Sequence, residues 1–135
     1  MPVKRANILL FLILCLSVKS LEANPKPEQI FDTIDSLISK SDADLSGIED
    51  AVKSLQQINL GLYYEKYKEN GPLKNLTDYC HQKKLFAYEI ACINIAGVMY
   101  RQVGKPIEAE REHLQALELS KLHNDTINMM ISLNN

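Results

Sequence analysis

The segment AGVMYRQVGKPIEAEREHLQALEL, residues 96 to 119, has apolar residues at helical spacing on both sides of one Gly-Lys-Pro break. A connection of three residues is too short to separate the two flanking helices in space. Gly followed closely by Pro is typical of one helix ending and the next beginning. The segment therefore predicts two antiparallel helices packed against each other. Whether this hairpin repeats along the chain decides the fold class.

The composition favours a single all-helical region. The chain has 135 residues, of which 46% are hydrophobic, enough for one compact domain or a short array. Gly and Pro are sparse, and no Asn-Gly or Asp-Gly pair marks a hairpin turn between strands. The net charge of -2 is spread along the helices, which argues against a nucleic-acid partner.

The N-terminus is typical of an export signal. Lys4 and Arg5 precede the apolar run Ile8 to Leu16, and the small residues that follow suit a signal peptidase. A membrane anchor is the alternative, but it needs about 20 apolar residues, whereas Lys19 ends this run. We predict that residues 1–23 are a signal peptide and that the protein is periplasmic or secreted. Membrane contact is expected only through this segment or through a region beyond residue 135.

The apolar spacing then predicts helices along the whole of residues 24–135. The second of them is expected to be long, beginning near Leu45, continuing past Leu62 and ending near Asn70-Gly71-Pro72. The expected helices run from about 28 to 39, from 45 to 70, from 72 onward past Cys80, from 85 to 102, from 107 to 122, and from 126 onward.

Two segments of the chain share one pattern. INLGLYYEKYKENGP (58–72) and INIAGVMYRQVGKP (93–106) both contain Ile-Asn, a Gly, a Tyr three residues later, and a Gly-containing break before Pro. Gly61 and Gly97 are 36 residues apart, as are Tyr64 and Tyr100. Such a period is typical of a stacked array of helix pairs.

At these positions the chain resembles the tetratricopeptide repeat (TPR) family. The family's packing residues on the first and second helix of each pair correspond to Leu60, Gly61, Tyr64, Gly97, Tyr100, Ala109 and Ala116. The sequence departs from the family pattern at His113, which replaces an aromatic residue, at Lys121, which replaces Pro, and in three extra residues before Gly71. The expected units are 28–54, 55–84, 90–122 and a further one beginning at 126–135.

The resemblance implies an all-α fold in which antiparallel helix-turn-helix pairs stack as a short TPR-like α-solenoid. It also implies a concave surface, lined by the first helix of each pair, that binds a protein or peptide. The groove residues carried over are Asn94, Val98, Arg101, Gln102, Leu62, Glu65 and Lys66, with Leu55, Ile58 and Ala91 beside them. Asn94 is the principal candidate because an amide can donate to and accept from a peptide backbone. The alternative is that Asn94 is an ordinary exposed helix residue.

No motif for a metal, cofactor or reaction is found. Asp42 and Asp44 resemble the start of a calcium-binding loop, but Lys53 occupies the place of its closing carboxylate, so a helix cap at Asp44 or Ser46 is the better explanation. The three histidines lack ligand spacing. Cys80 and Cys92 either pair in an oxidising compartment or are two small buried apolar residues.

We therefore expect a non-enzymatic, exported binding scaffold without cofactors. The alternative is the sensory N-terminal region of a larger envelope signalling protein, such as a sensor kinase or regulator. Leu133-Asn134-Asn135 resembles the sequence that precedes a new repeat, so we expect the chain to be the N-terminal part of a longer protein. A third possibility is an exported helical enzyme that uses His81 or Cys80.

Protein recovered from the cell envelope or the medium should lack at least residues 1 to 20, because cleavage is expected after Ser20 or Ala23. Intact-mass spectrometry of that fraction measures the N-terminus directly. Recovery of chains that still begin at Met1 would contradict the signal-peptide prediction.

Overall fold

The computed structural model describes residues 25–135, so the predicted signal peptide lies outside the described residues. Seven α-helices and one 3-10 turn, with no strand, occur between residues 25 and 135, and the all-helical fold class is confirmed. The elements are α1 Pro27–Ile38, α2 Leu45–Gln57, a 3-10 turn Leu60–Tyr63, α3 Tyr64–Tyr67, α4 Pro72–Gln82, α5 Phe86–Gln102, α6 Pro106–Leu122 and α7 Thr126–Asn134. Within the described residues, no helix combines the length and apolar content needed to cross a membrane.

The last four helices are joined by three turns of one kind. Lys84, Gly104 and Asn124 each have a positive φ, near 56°, 73° and 54°. After each of them a backbone N–H reaches back five residues: Leu85 to the Cys80 carbonyl, Lys105 to Tyr100 and Asp125 to Ser120, at 2.8 to 2.9 Å. This left-handed stop satisfies a free carbonyl at the helix end and reverses the chain. The Gly-Lys-Pro break is thus the middle one of three equivalent hairpin turns.

Helix α5 is the centre of the array. It packs against α4 and α6, its neighbours in sequence, and also against α2 and α7. The main hydrophobic core lies among α1, α2, α4 and α5, and a second small cluster of Ile90, Ile93 and Ala116 lies between α5 and α6. Each helix packs on its neighbours as in a short helical solenoid, with α2, α5 and α7 lying side by side.

The α5–α6 pair crosses closely at small residues. Gly97 is buried, and a Cβ atom added there would lie 2.6 Å from Nε2 and 2.8 Å from Nδ1 of His113. Ala109 and Ala116 of α6 are also buried at this crossing. No side chain fits between α5 and the imidazole ring, so Gly97 sets the distance between the two helices.

The long helix predicted from Leu45 past Leu62 is wrong. Helix α2 ends at Gln57, since Ile58 adopts an extended conformation with φ -107° and ψ 154°. The Asn59 side chain then accepts a hydrogen bond from the Gly61 N–H at 3.1 Å. Such local bonding by Asn competes with helix formation, and Gly61 favours a helix poorly. As a result, Leu60, Gly61 and Tyr64 lie on the 3-10 turn and α3 instead of on a long first helix.

The packing residues of this earlier segment still contact the array. Leu60 is buried in the main core. Gly61 lies against Gln102 at the end of α5, and the Tyr64 ring packs edge-on against Tyr100 with ring centroids 6.0 Å apart. The two segments that share a sequence pattern therefore meet in space, although only the later one forms a regular helix pair.

Replacing Gly97 by Leu should lower the free energy of unfolding by about 1–3 kcal/mol or more, because the new side chain must displace the His113 ring. Chemical denaturation measures the change. Val98→Leu is the matched control, since it enlarges the neighbouring, half-exposed position of the same helix and should change stability by less than about 0.5 kcal/mol. Equal effects of the two substitutions would contradict a close crossing at Gly97.

Candidate functional site

A groove lies on the face formed by α2, α5 and α7. Its cavity is about 200 Å³, and α5 forms its floor. The predicted groove positions that line it are Leu55, Ile58, Ala91, Asn94, Val98 and Gln102. The sequence did not identify the residues that complete the wall, which are Gln56, Leu60, Ile95, Met99, Asn128, Ile131 and Asn135. The face predicted from the first-helix positions is thus the face that carries this cavity.

The groove wall is apolar and amide-bearing. Among the residues that line the cavity none has a charged side chain: eight are aliphatic or Met, and the other five are Asn or Gln. Val98 is 37% exposed at the edge, and Ile131 of α7 is exposed opposite α2. A surface of this kind can gain free energy by covering apolar area without having to desolvate an ion.

Four predicted groove residues do not line this cavity. Leu62 is 78% exposed, Glu65 pairs with Lys68 at 2.8 Å, and the Lys66 ammonium lies 4.9 Å from the centre of the Tyr67 ring. These three residues follow the end of α2 and are therefore carried away from its face. The fourth, Arg101, points toward α6 and α7, where it bonds His113.

Asn94 is the main correction to the predicted site. It is only 4% exposed, so it is neither a freely accessible peptide ligand nor an ordinary exposed residue. Its Nδ2 donates to Ser132 Oγ of α7 at 3.0 Å, and its Oδ1 accepts from His113 Nδ1 of α6 at 3.0 Å. Both ends of the amide are thus engaged within the protein, and Asn94 joins three helices beneath the groove.

The Asn94 contacts belong to one chain of hydrogen bonds. The Arg101 guanidinium lies 3.0 Å from His113 Nε2, and a guanidinium can only donate, so Nε2 accepts. The proton of a neutral His113 must then lie on Nδ1, which donates to Asn94. At the far end Ser132 Oγ donates to the Asn128 carbonyl at 2.8 Å. Each group in this chain donates to the next one, from Arg101 of α5 to His113 of α6, back to Asn94 of α5 and on to Ser132 of α7.

His113 is held neutral by its surroundings. Burial lowers its pKa from the ordinary value of 6.5, and the nearby Arg101 charge lowers the pKa further. A protonated ring would lose its acceptor and confront the guanidinium with a donor. The neutral imidazole is therefore the form that fits between Arg101 and Asn94.

Gln102 fixes the side of the groove that lies next to the 3-10 turn. Its Oε1 accepts the Gly61 N–H at 2.9 Å, which ties the end of α5 to the 3-10 turn. The carboxamides of Asn94 and Gln102 are therefore used to set the shape of the groove. The same is true of Asn128, whose Nδ2 donates to Asp125 Oδ2 at 2.8 Å.

A second cavity of about 330 Å³ was not predicted from the sequence. It lies between the 3-10 turn, α3, α4 and α5, and the aromatic rings of Phe31, Tyr63, Tyr67 and Tyr100 are part of its wall. Phe31 meets Tyr63 and Tyr67 edge-on, with centroids 5.3 and 5.1 Å apart. This aromatic cluster anchors the irregular segment that follows α2.

The residues considered for catalysis or metal binding do not form a common site. Cys80 is fully buried, whereas the adjacent His81 is exposed and its Nδ1 lies 2.9 Å from Glu89 Oε1. Asp44 accepts the Gly47 N–H at 2.9 Å and so caps α2. Among residues 25–135, no group of three or more His, Cys, Asp or Glu side chains is arranged to hold a metal ion.

Stability should fall as the pH is lowered through 6.5, the ordinary pKa of histidine, because the pKa of His113 is lower in the folded protein than in the unfolded chain. Below the ordinary pKa of 6.5 the unfolded chain binds the extra proton first, so the loss begins there and continues to the folded pKa. Thermal melts across this range measure the loss.

Two variants isolate the His113 contribution. His113→Gln should reduce the acid-induced loss, since Gln can still accept from Arg101 but does not titrate, whereas His123→Gln should retain it. The pKa of Glu112 is raised by burial, which acts in the opposite direction at lower pH, but this residue is present in all three proteins. An unchanged pH dependence in His113→Gln would contradict the assignment.

Comparisons with protein-family models, with curated proteins and with solved structures find no match to this chain. The likeness to the TPR family consequently rests on the residue pattern quoted above and is a proposal.

Proposed function

We propose that the protein is a non-enzymatic, exported scaffold that binds a protein or peptide segment in the groove between α2, α5 and α7. The observation that carries the proposal is the cavity itself, which is open, preformed and lined by residues of the three helices that lie side by side. Ligand sites are commonly concave and mostly apolar, with a few polar groups that fix orientation.

The chemistry of the wall favours a segment with apolar, uncharged side chains. A charged side chain placed here would lose water without meeting an opposite charge, since no charged side chain lines the cavity. The aliphatic residues Ile58, Val98 and Ile131, in contrast, offer partly exposed apolar surface at the end of α2, on α5 and on α7. A cavity of about 200 Å³ accommodates a few such side chains.

The floor of the groove is held in place by hydrogen bonds within the protein. It is joined to α6 and α7 through Asn94 and to the 3-10 turn through Gln102. A site whose walls are already held in place loses less conformational entropy when a ligand binds. The resemblance to tetratricopeptide repeats, which bind peptides on the same face, supports the same function.

Peptides selected from a random display library on the full chain should bind the groove and carry apolar side chains at their contact positions. Val98→Glu should weaken their affinity at least about tenfold, because it places an unpaired charge at the edge of an apolar wall. Fluorescence anisotropy of a labelled selected peptide measures the affinity.

Leu114→Glu is the matched control, since Leu114 is 52% exposed on α6 and does not line the groove. This variant should bind the peptide as the wild type does, and melting curves should show that both variants are folded. Equal binding by the wild type and Val98→Glu would place the peptide elsewhere. A library that yields no binder would contradict the proposed function itself.

A further inference from the structure

Two buried cysteines lie on the two helices of the α4–α5 hairpin, one on each helix. Cys80 lies in the last turn of α4, and Cys92 lies near the start of α5, beyond the left-handed turn at Lys84. The Leu85 N–H donates to the Cys80 carbonyl at 2.8 Å and fixes that turn directly beside the cysteine. Both cysteine side chains are 0% exposed and belong to one core cluster.

Both cysteines are free thiols in this structure. The neighbouring Cys92 side chain lowers the pKa of Cys80. The Cys80 side chain and complete burial raise the pKa of Cys92. The two cysteines share one buried cluster on helices that pack against each other, which is the placement that a disulfide between the helices requires.

We propose that Cys80 and Cys92 are a disulfide site that links α4 to α5. The reaction requires an oxidant, which is a disulfide donor such as an oxidoreductase of the export pathway or oxidised glutathione. The Cys80 thiolate attacks the donor disulfide, forms a mixed disulfide and releases one donor thiolate. The Cys92 thiolate then attacks the Cys80 sulfur and releases the second donor thiolate. Two electrons pass to the donor, and the two cysteine protons are released to solvent or to the donor thiolates.

Complete burial determines when the bond can form. A donor cannot approach either sulfur once α1 and α2 cover the hairpin, because their side chains belong to the same core cluster. The exchange therefore takes place while the chain folds, before the core closes. Export through the predicted signal peptide would bring the unfolded chain into a compartment where such donors act.

The disulfide would join two helices that support the groove from behind. Helix α5 is the floor of the groove and α4 packs behind it, away from α7. A covalent bond between α4 and α5 restricts the unfolded chain and leaves the native packing as it is. This inference does not depend on peptide binding, because it concerns a pair of residues outside the groove wall.

The test is to unfold the full chain under reducing conditions and refold it with reduced and oxidised glutathione. Free thiols are then alkylated, and the protein is digested with trypsin. Cleavage after lysine and arginine separates residues 75–83, which contain Cys80, from residues 85–101, which contain Cys92. The third cysteine, Cys15, falls on a different peptide. Mass spectrometry should show the two core peptides joined by a disulfide as the main product.

Alkylated Cys80 and Cys92, or each cysteine joined to glutathione, as the main product would overturn the proposal. A parallel sample that is folded in reductant and only then given oxidised glutathione should form the linked pair at least about tenfold more slowly, because both sulfurs are covered. Equal rates in the two samples would overturn the inference that the bond forms during folding.

Melting temperatures test the effect of the link on stability. The oxidised protein should melt roughly 10 °C above the same protein after reduction, as expected for one disulfide in a domain of this size. The double variant Cys80→Ser, Cys92→Ser is the control and should melt at one temperature with or without oxidant. An oxidised wild type that melts at or below the reduced form would show that the link strains the α4–α5 packing, against the proposal.

Discussion

The contact between the Gly97 backbone and the His113 ring is the constraint on which the rest of the array depends. With no side chain at residue 97, α6 approaches α5 until the imidazole lies directly on its backbone. Only at that distance can the ring bond both Arg101 and Asn94 of α5. The position of Asn94, and through it of α7, therefore follows from a missing Cβ atom.

Helix α7 is attached in an unusual way. It turns Asn128 and Ser132 toward the array, whereas Ile127, Met130 and Leu133 are largely exposed. Its buried contacts are thus made in large part by hydrogen bonds, each of which contributes only about 1 kcal/mol net but costs about 1–3 kcal/mol when one partner is lost. An attachment of this kind is specific in geometry and modest in strength.

The sequence was informative where one residue type has one strong local effect. Gly104 followed by Pro106 predicted a helix stop and start, and the apolar spacing on both sides predicted the α5–α6 pair that the structure shows. The equivalent turns at Lys84 and Asn124 were harder to recognise. These residues adopt a positive φ only at some cost, so their presence in a sequence does not indicate a left-handed turn as Gly does.

Predictions were wrong where two local preferences compete. The apolar pattern continued past Gln57, but the Asn59 side chain and Gly61 ended the helix, so Leu62, Glu65 and Lys66 left the groove face. Asn94 was expected to bind a ligand. A single sequence does not show which polar side chains far apart in the chain will contact each other in the fold, so the partners of Asn94 could not be foreseen. Ser132 lies 38 residues away, and only the assembled fold brings the two together. One signal was present, since Asn128 and Ser132 are four residues apart in the otherwise apolar stretch 127–133.

The helices on the two sides of the groove, α2 and α7, are attached to the rest of the protein with different strength. On one side α2 is buried in the main core together with α1 and α4, while on the other side α7 is held largely by polar contacts. Regions with few buried apolar contacts open at lower free energy than the core. A peptide that packs on Ile131 would add the apolar contact that α7 lacks and thereby stabilise its docked position. If the groove binds a peptide as proposed, binding in the groove and attachment of α7 are coupled, and each favours the other.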